Sequence, residues 1–343
     1  MAIDHAARVP IGRTGLEVTR LAFGGASIGG LFRYVETDDA VATVRDAWDL
    51  GIRYFDTAPL YGYGASERRV GVALAGKPRD EYVLSTKVGR LVRERTSIPR
   101  GADIDRQRFE GRDDAFYVVR DPVRVVFDYS ADGVRRSIEE SLERLGLDRI
   151  DLALIHDPDD HWREAIDGAW PALERLRAEG AIRAVGAGMN QSAMLTRFVR
   201  ETTMDAVLVA GRYTLLDQSA LDDLLPACVE RGVAVLVGGV MNSGVLVDPR
   251  PGAMFDYTPA PAGVIDRARR IGEVCARHDV PLRAAAMQFP MAHPAVASLV
   301  AGVRTVGHLR EYPALLARPI PAALWADLRD EGLIAADAPV PDP

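Results

Sequence analysis

Short apolar runs, each followed by a stretch whose apolar positions recur at helical spacing, repeat along the whole chain. The runs fall at 19–23, 52–55, 82–86, 150–155, 182–186, 206–209, 234–237 and 297–300, and they are apolar on both faces rather than alternating. A strand with two apolar faces must be covered on both sides, which is the condition of a parallel strand sheathed by helices. Between the runs, 39–50 places Val41, Val44, Ala47 and Trp48 on one helical face, and 131–145 does the same with Ile138, Leu142 and Leu145. Eight such units predict an α/β fold of the (β/α)8 barrel type, a TIM barrel, with 1–343 as one domain. The structural rival is a doubly wound sheet. After the first run the chain reads Gly24-Gly25-Ala26-Ser27-Ile28-Gly29-Gly30, which is not G-x-G-x-x-G and is followed by no Lys-Ser/Thr. The dinucleotide signature of the rival is missing where it belongs, and the barrel is preferred.

Two stretches break the rhythm. Residues 89–128 form a long insertion carrying nine arginines, nearly balanced by acidic residues, together with Phe109, Phe116, Tyr117 and Phe127. Read blandly it is a solvated loop; read functionally it is a lid, because an insertion after a barrel strand lies at the catalytic face. Residues 245–262, rich in proline, make a second such loop. The tail 335–343 ends in Pro-Val-Pro-Asp-Pro and is expected to fray.

Composition narrows the partners. A net charge of -7 disfavours an electrostatic grip on nucleic acid or on an anionic membrane. No run approaches the length of a membrane span, and the first residues lack the charged-then-apolar order of a signal peptide. Cys228 and Cys275 are far apart and in helical patterns, so a reduced, cytoplasmic protein is expected, with a small molecule as its partner.

The chemistry lies at the ends of the runs. Residues 52–55 lead into Asp56, with Tyr61 five positions on; 83–86 lead into Lys87; 152–155 lead into His156. In a barrel these ends converge on one mouth. Each residue alone has a dull explanation: a turn cap, a surface lysine, a satisfied core histidine, a packed tyrosine. Together they are coherent. A phenol near pKa 10 exchanges protons poorly at neutral pH, and a neighbouring ammonium is expected to lower it. A carboxylate would hold that ammonium, and a histidine would orient the substrate oxygen. Such a site moves a proton on a carbonyl or alcohol and needs a hydride partner.

Phe55-Asp56-Thr57-Ala58, Tyr61-Gly62, Ser66-Glu67, Ser85-Thr86-Lys87 and Leu154-Ile155-His156 together resemble the aldo-keto reductase family, in the family's own order. The resemblance runs from a hairpin near 9–18 to about residue 316. It implies Tyr61 as general acid/base, Lys87 as its activator, Asp56 as the holder of Lys87, and His156 as the binder of the substrate oxygen. Within the family the chain looks most like aldose 1-dehydrogenases and pyridoxal 4-dehydrogenases, through 127–133, 141–146, Ile155-His156-Asp157-Pro158, 211–216 and Asn242-Ser243-Gly244. It departs from the family at the cofactor. Gly188-Met189-Asn190 replaces the usual Ser-Asn, leaving Asn190 to hold the nicotinamide amide, and Ala210 stands where a glutamine is usual. Gly238 replaces a stacking tyrosine, so stacking must come from elsewhere.

The glycines at 238 and 239, with Asn242, Ser243 and Gly244, offer backbone N–H groups to a pyrophosphate. Gly302, Arg304 and Thr305 lead into a helix near 306, a start suited to the adenosine phosphates. His308 takes the place of the arginine that clasps a 2′-phosphate, and Tyr312 that of an asparagine, which tilts the choice between NAD and NADP towards NAD. The expected activity is oxidation of an aldose or pyridoxal hemiacetal to a lactone. Its competitors are a broad NADPH-dependent aldehyde and ketone reductase, a cofactor-binding sensor barrel without turnover, and a metal-dependent hydrolase. The last would draw on His156-Asp157-Pro158-Asp159-Asp160-His161, but no His-x-His occurs and no metal is expected.

Overall fold

The computed structural model describes residues 2–106 and 116–342. Phe109, counted above with the insertion's aromatics, lies outside them. Eight parallel strands close a barrel in sequence order: β1 Leu21–Gly24, β2 Tyr54–Asp56, β3 Val83–Val88, β4 Leu152–His156, β5 Ala184–Met189, β6 Ala206–Ala210, β7 Ala234–Gly238 and β8 Val296–Gly302. All eight expected strands are present, and the helices α1 Thr37–Asp49, α2 Ala65–Leu74 and α3 Ala131–Leu145 include both expected amphipathic ones. What differs is where the strands stop. Each runs one to three residues past its apolar run, so that Asp56, Lys87 and His156 are not loop residues but members of the ladder. Hydrogen bonding of the backbone continues after hydrophobicity has ended, because the ladder does not depend on side-chain polarity.

Residues before β1 close the base of the barrel. Arg8–Pro10 pairs with Glu17–Thr19 in a hairpin that buries Ile11, Leu16 and Val18 against Tyr54, Val83 and Leu152. Each of those strand residues lies on the inward side, and the cluster is apolar throughout.

Among the described residues of the insertion, three short strands form a small sheet. Arg90–Glu94 pairs antiparallel with Val123–Phe127, and Ile104–Asp105 pairs with the other side of the same strand. Val125 and Val126 are buried beneath it. Both faces of this small sheet mix charged and apolar residues: Val92 and Val125 share one with Arg90 and Asp105, and Leu91 and Val126 share the other with Arg93 and Arg124. The tail also packs further than expected. Ala338 is buried and its carbonyl accepts from Arg329, because residues 334–338 fold back over the helix Ala322–Asp330.

The glycines after β1 serve close packing. A Cβ on Gly29 would lie 2.7 Å from the Tyr61 carbonyl carbon, and one on Gly62, at φ 63°, would lie 2.1 Å from the Gly29 carbonyl oxygen. Only bare backbone fits on both sides of this contact, which fixes the turn carrying Tyr61. Cys228 and Cys275 are buried free thiols on helices outside the barrel.

Candidate active site

Register brings the four predicted residues together. Asp56 stands opposite Ser85 of β3, and Lys87 opposite Leu154, two residues before His156 on β4. The Lys87 ammonium donates to both Asp56 oxygens at 2.8 and 2.7 Å, and to the Thr57 carbonyl at 3.0 Å. Lysine and aspartate are 1 and 2% exposed, so the pair is desolvated and its geometry is fixed by three short hydrogen bonds. Ser85 also donates to Asp56 at 2.7 Å, and Tyr54 bonds Ser85 at 3.0 Å. Below, fully buried Glu67 accepts from Thr86 at 2.7 Å and from Arg144 at 2.6 Å, tying α2 to β3 and α3.

Tyr61 sits over this pair, the Lys87 nitrogen 4.5 Å from its ring centre. The His156 ring meets it edge-on at 5.6 Å. The expected electrostatics need correction. Burial holds the Tyr61 phenol well above its ordinary value, and Asp56 adds to that, so the ammonium does not bring it down. Lys87 directs its three hydrogen bonds elsewhere, and its field is largely cancelled by the carboxylate it binds. The hydroxyl is therefore a neutral proton carrier in this state. His156 is also neutral: burial, then Arg90 and Lys87, hold it well below its ordinary value. Its Nε2 is 3.4 Å from the Asp157 carboxylate, which favours the proton on Nε2, and its buried Nδ1 has no hydrogen-bond partner.

Two chambers meet at this point. A cleft of about 370 Å³ runs from Tyr61 and Asp56 across the ends of β6, β7, β8 and β1. It is bordered by Asn190, Gly238, Gly239, Asn242, Ser243, Gly244, Gly302, Arg304 and His308, nine of the ten residues expected at a cofactor. Thr305 is the tenth and does not border it; its hydroxyl caps the helix Val306–Ala317 by accepting from the His308 N–H. Asn242 and Ser243 adopt left-handed backbone at φ 42° and 58°, and the Asn242 Oδ1 is buried without a partner. An orphaned acceptor, glycine-lined walls and a helix start suit a bound dinucleotide.

The second chamber, about 410 Å³, is bordered by Tyr61, Lys87 and His156, by Arg90, Asp105, Phe116 and Tyr117 of the insertion, whose arginines and aromatics are candidates for holding a polyhydroxylated ring, and by Asp157, Asp159 and Tyr257. Arg90 is 5% exposed, pairs with Asp105 at 2.6 Å and donates to the His156 carbonyl, which also accepts from Tyr129 at 2.6 Å. Arg90 was hidden among nine arginines; its place directly after Lys87-Val88-Gly89, at a barrel mouth, was the available signal. Asp157 stands both in the Ile155-His156-Asp157-Pro158 stretch and in a cluster that resembles a metal site. That cluster is split, since His161 faces Asp103 and Glu164 while His156 faces the chamber. Among the described residues, no group of three or more His, Cys, Asp or Glu is placed to hold a metal ion. No helix among them is long and apolar enough to cross a membrane.

The sequence profile of the "Aldo/keto reductase family" matches residues 20–330. The chain is 45% identical over 324 residues to D-threo-aldose 1-dehydrogenase of a Pseudomonas species, covering 93% of this chain and 96% of that one. It is 42% identical over 336 residues to pyridoxal 4-dehydrogenase of Microbacterium luteolum, covering 95% and 97%. Among solved structures, the holo form of aldo-keto reductase AKR11C1 from Bacillus halodurans superposes with a TM-score of 0.73 at 26% identity, covering 96% of this chain and 97% of that one.

Proposed function

The chain belongs to the aldo/keto reductase family and is an NAD(P)-dependent oxidoreductase; on that premise we propose that it oxidises the hemiacetal hydroxyl of a small aldose to a lactone. The observation that carries the proposal is the meeting at Tyr61 of a long glycine-lined cleft and a chamber lined by His156, Arg90, Asp157 and Asp159. A chamber for plain aldehydes has no use for charges of both signs on its walls, whereas a polyhydroxylated ring has a donor or acceptor for each.

In this reading the neutral His156 donates from Nε2 to the reacting oxygen, and Tyr61, which must first give up its own proton, takes the hemiacetal hydroxyl proton as the hydride leaves the same carbon. Asp56 and Lys87 form the charged floor that orients the phenol. Asn190, Asn242, Ser243, Gly238, Gly239, Gly244, Gly302, Arg304 and His308 hold the cofactor, whose nicotinamide supplies the hydride acceptor. Tyr257 borders both chambers and is the aromatic available where Gly238 offers none.

One observation favours a second reading, the broad reductase of aldehydes and ketones. A phenol held well above its ordinary value stands in its protonated form, the form a carbonyl reduction consumes. For the cofactor, Arg304 donates to the Leu31 carbonyl at 2.7 Å and His308 is not a permanent charge, which supports NAD. Arg33, exposed on the same cleft with no carboxylate partner among the described residues, favours acceptance of a 2′-phosphate as well. The test is a panel of aldoses, pyridoxal and non-cyclising carbonyls with each oxidised and reduced cofactor. Lactone from an aldose supports the proposal. Reduction of simple carbonyls with no hemiacetal oxidation overturns it.

A further inference from the structure

Asp157 follows His156 directly and holds a left-handed backbone, φ 39°, which a residue with a side chain adopts only when its surroundings enforce it. Here they do so from both sides. Its N–H donates to the Gly188 carbonyl of β5 at 3.0 Å, and its carbonyl accepts from the Tyr129 hydroxyl at 3.1 Å. The conformation returns the side chain beside the imidazole, so that the carboxylate lies 3.4 Å from His156 Nε2 and borders the substrate chamber.

The position has a geometric consequence. If the reacting oxygen is held at Nε2, a carboxylate next to Nε2 is also next to that oxygen. Two oxygens on neighbouring carbons lie about one hydrogen-bond length apart. The carboxylate is then within reach of a hydroxyl on the carbon beside the reacting one, and a carboxylate can only accept.

We propose that Asp157 is the specificity-determining acceptor for that adjacent hydroxyl, selecting 2-hydroxy carbonyl compounds and their hemiacetals over analogues that lack it. A substrate without the hydroxyl leaves a desolvated carboxylate unmatched, and this penalty, more than any lost attraction, gives the discrimination. The proposal rests on the role given above to His156 and uses the hemiacetal reading only to choose the substrate pair.

The surroundings make the acceptor titratable. Arg90 and Lys87 face it as cations, Asp105 and Asp159 as anions, and neutral His156 lies alongside. Burial outweighs the cations and brings the Asp157 carboxyl up to about 6. Below that value it takes up a proton and its preference for donors weakens.

The experiment compares kcat/KM for an aldopentose and its 2-deoxy counterpart, followed by lactone formation. The wild type is expected to favour the 2-hydroxy sugar by about tenfold or more, with the ratio falling as pH drops below about 6. Asp157→Ala collapses the ratio towards unity, mainly through KM. Asp157→Asn, whose side chain tolerates the left-handed backbone, shrinks the ratio and removes its pH dependence. Cofactor binding followed by fluorescence verifies that each variant is folded. An equal loss of kcat on both sugars would make Asp157 a support for His156 and overturn the proposal, as would an unchanged ratio. If the wild type forms no lactone from either sugar, the hemiacetal reading fails. The same ratio is then measured by reduction of a 2-hydroxyaldehyde and its deoxy analogue, and a ratio unaffected by Asp157→Ala overturns the Asp157 assignment on its own.

Discussion

The base and the mouth of the barrel are built on the same strands, a few residues apart, and obey opposite rules. At the base, Tyr54, Val83 and Leu152 meet Ile11, Leu16 and Val18 of the hairpin in a buried apolar cluster. At the mouth, two to four residues further along, the same strands present Asp56, Lys87 and His156, buried as deeply but charged or hydrogen-bonding. Apolar packing at the base stabilises whatever happens above it. The mouth concentrates desolvated groups whose partners must all be present, and this makes it reactive and costly to disturb. The two are joined by one thread of hydrogen bonds, from Tyr54 through Ser85 to Asp56.

The contrast can be broken at either end. Tyr61→Phe is expected to lower kcat/KM by roughly 10²–10⁴-fold, the usual worth of a positioned proton donor, while cofactor affinity and thermal stability stay near wild type. A variant keeping more than about a tenth of the activity would remove Tyr61 from the chemistry. Lys87→Met strands the Asp56 carboxylate and should cost about 3–5 kcal/mol of stability as well as activity. Denaturant unfolding measures it, and Asp56→Asn added to Lys87→Met should recover part of the stability. At the base, Leu16→Ala should cost about 2–5 kcal/mol through the cavity it leaves, with kcat unchanged below the unfolding temperature. A loss of kcat there would mean the two ends are not separable. The thread itself is the finest test: Ser85→Ala should cost about 1 kcal/mol and slow turnover slightly, by loosening Asp56 without removing it.

The same contrast explains what could be read from the chain. The barrel was legible because a strand buried on both faces must be apolar, and eight such runs have few architectures open to them. The ends of the strands were not, since Asp56, Lys87 and His156 stop the hydrophobic signal while the ladder continues. Polarity at those ends was nevertheless what revealed the four residues. Tyr61's protonation was misjudged because the sequence gives neighbours but not burial, and burial dominates here. The individual places of Arg90, Asp157 and Tyr257 in the chamber are not legible in the sequence for a different reason. Their positions follow from the antiparallel sheet on the insertion and from backbone turned left-handed at 157 and 257, neither of which has a periodic signature. Thr305 was placed correctly at a helix start, but its hydroxyl faces its own helix.

The two thiols have a consequence outside catalysis. Cys228 and Cys275 are no more than 1% exposed, and burial pushes both up to about 12, so neither reacts in the intact fold. Cys228 lies on the helix Leu224–Arg231, packed on β7, and Cys275 on the helix Ala262–Arg277, which follows β7 in the chain; the end of β7 also borders the long cleft. A slow thiol reagent therefore clocks how often this side of the barrel opens, and the labelling rate with and without NAD+ or NADP+ gives the opening free energy that each cofactor contributes, with no turnover required.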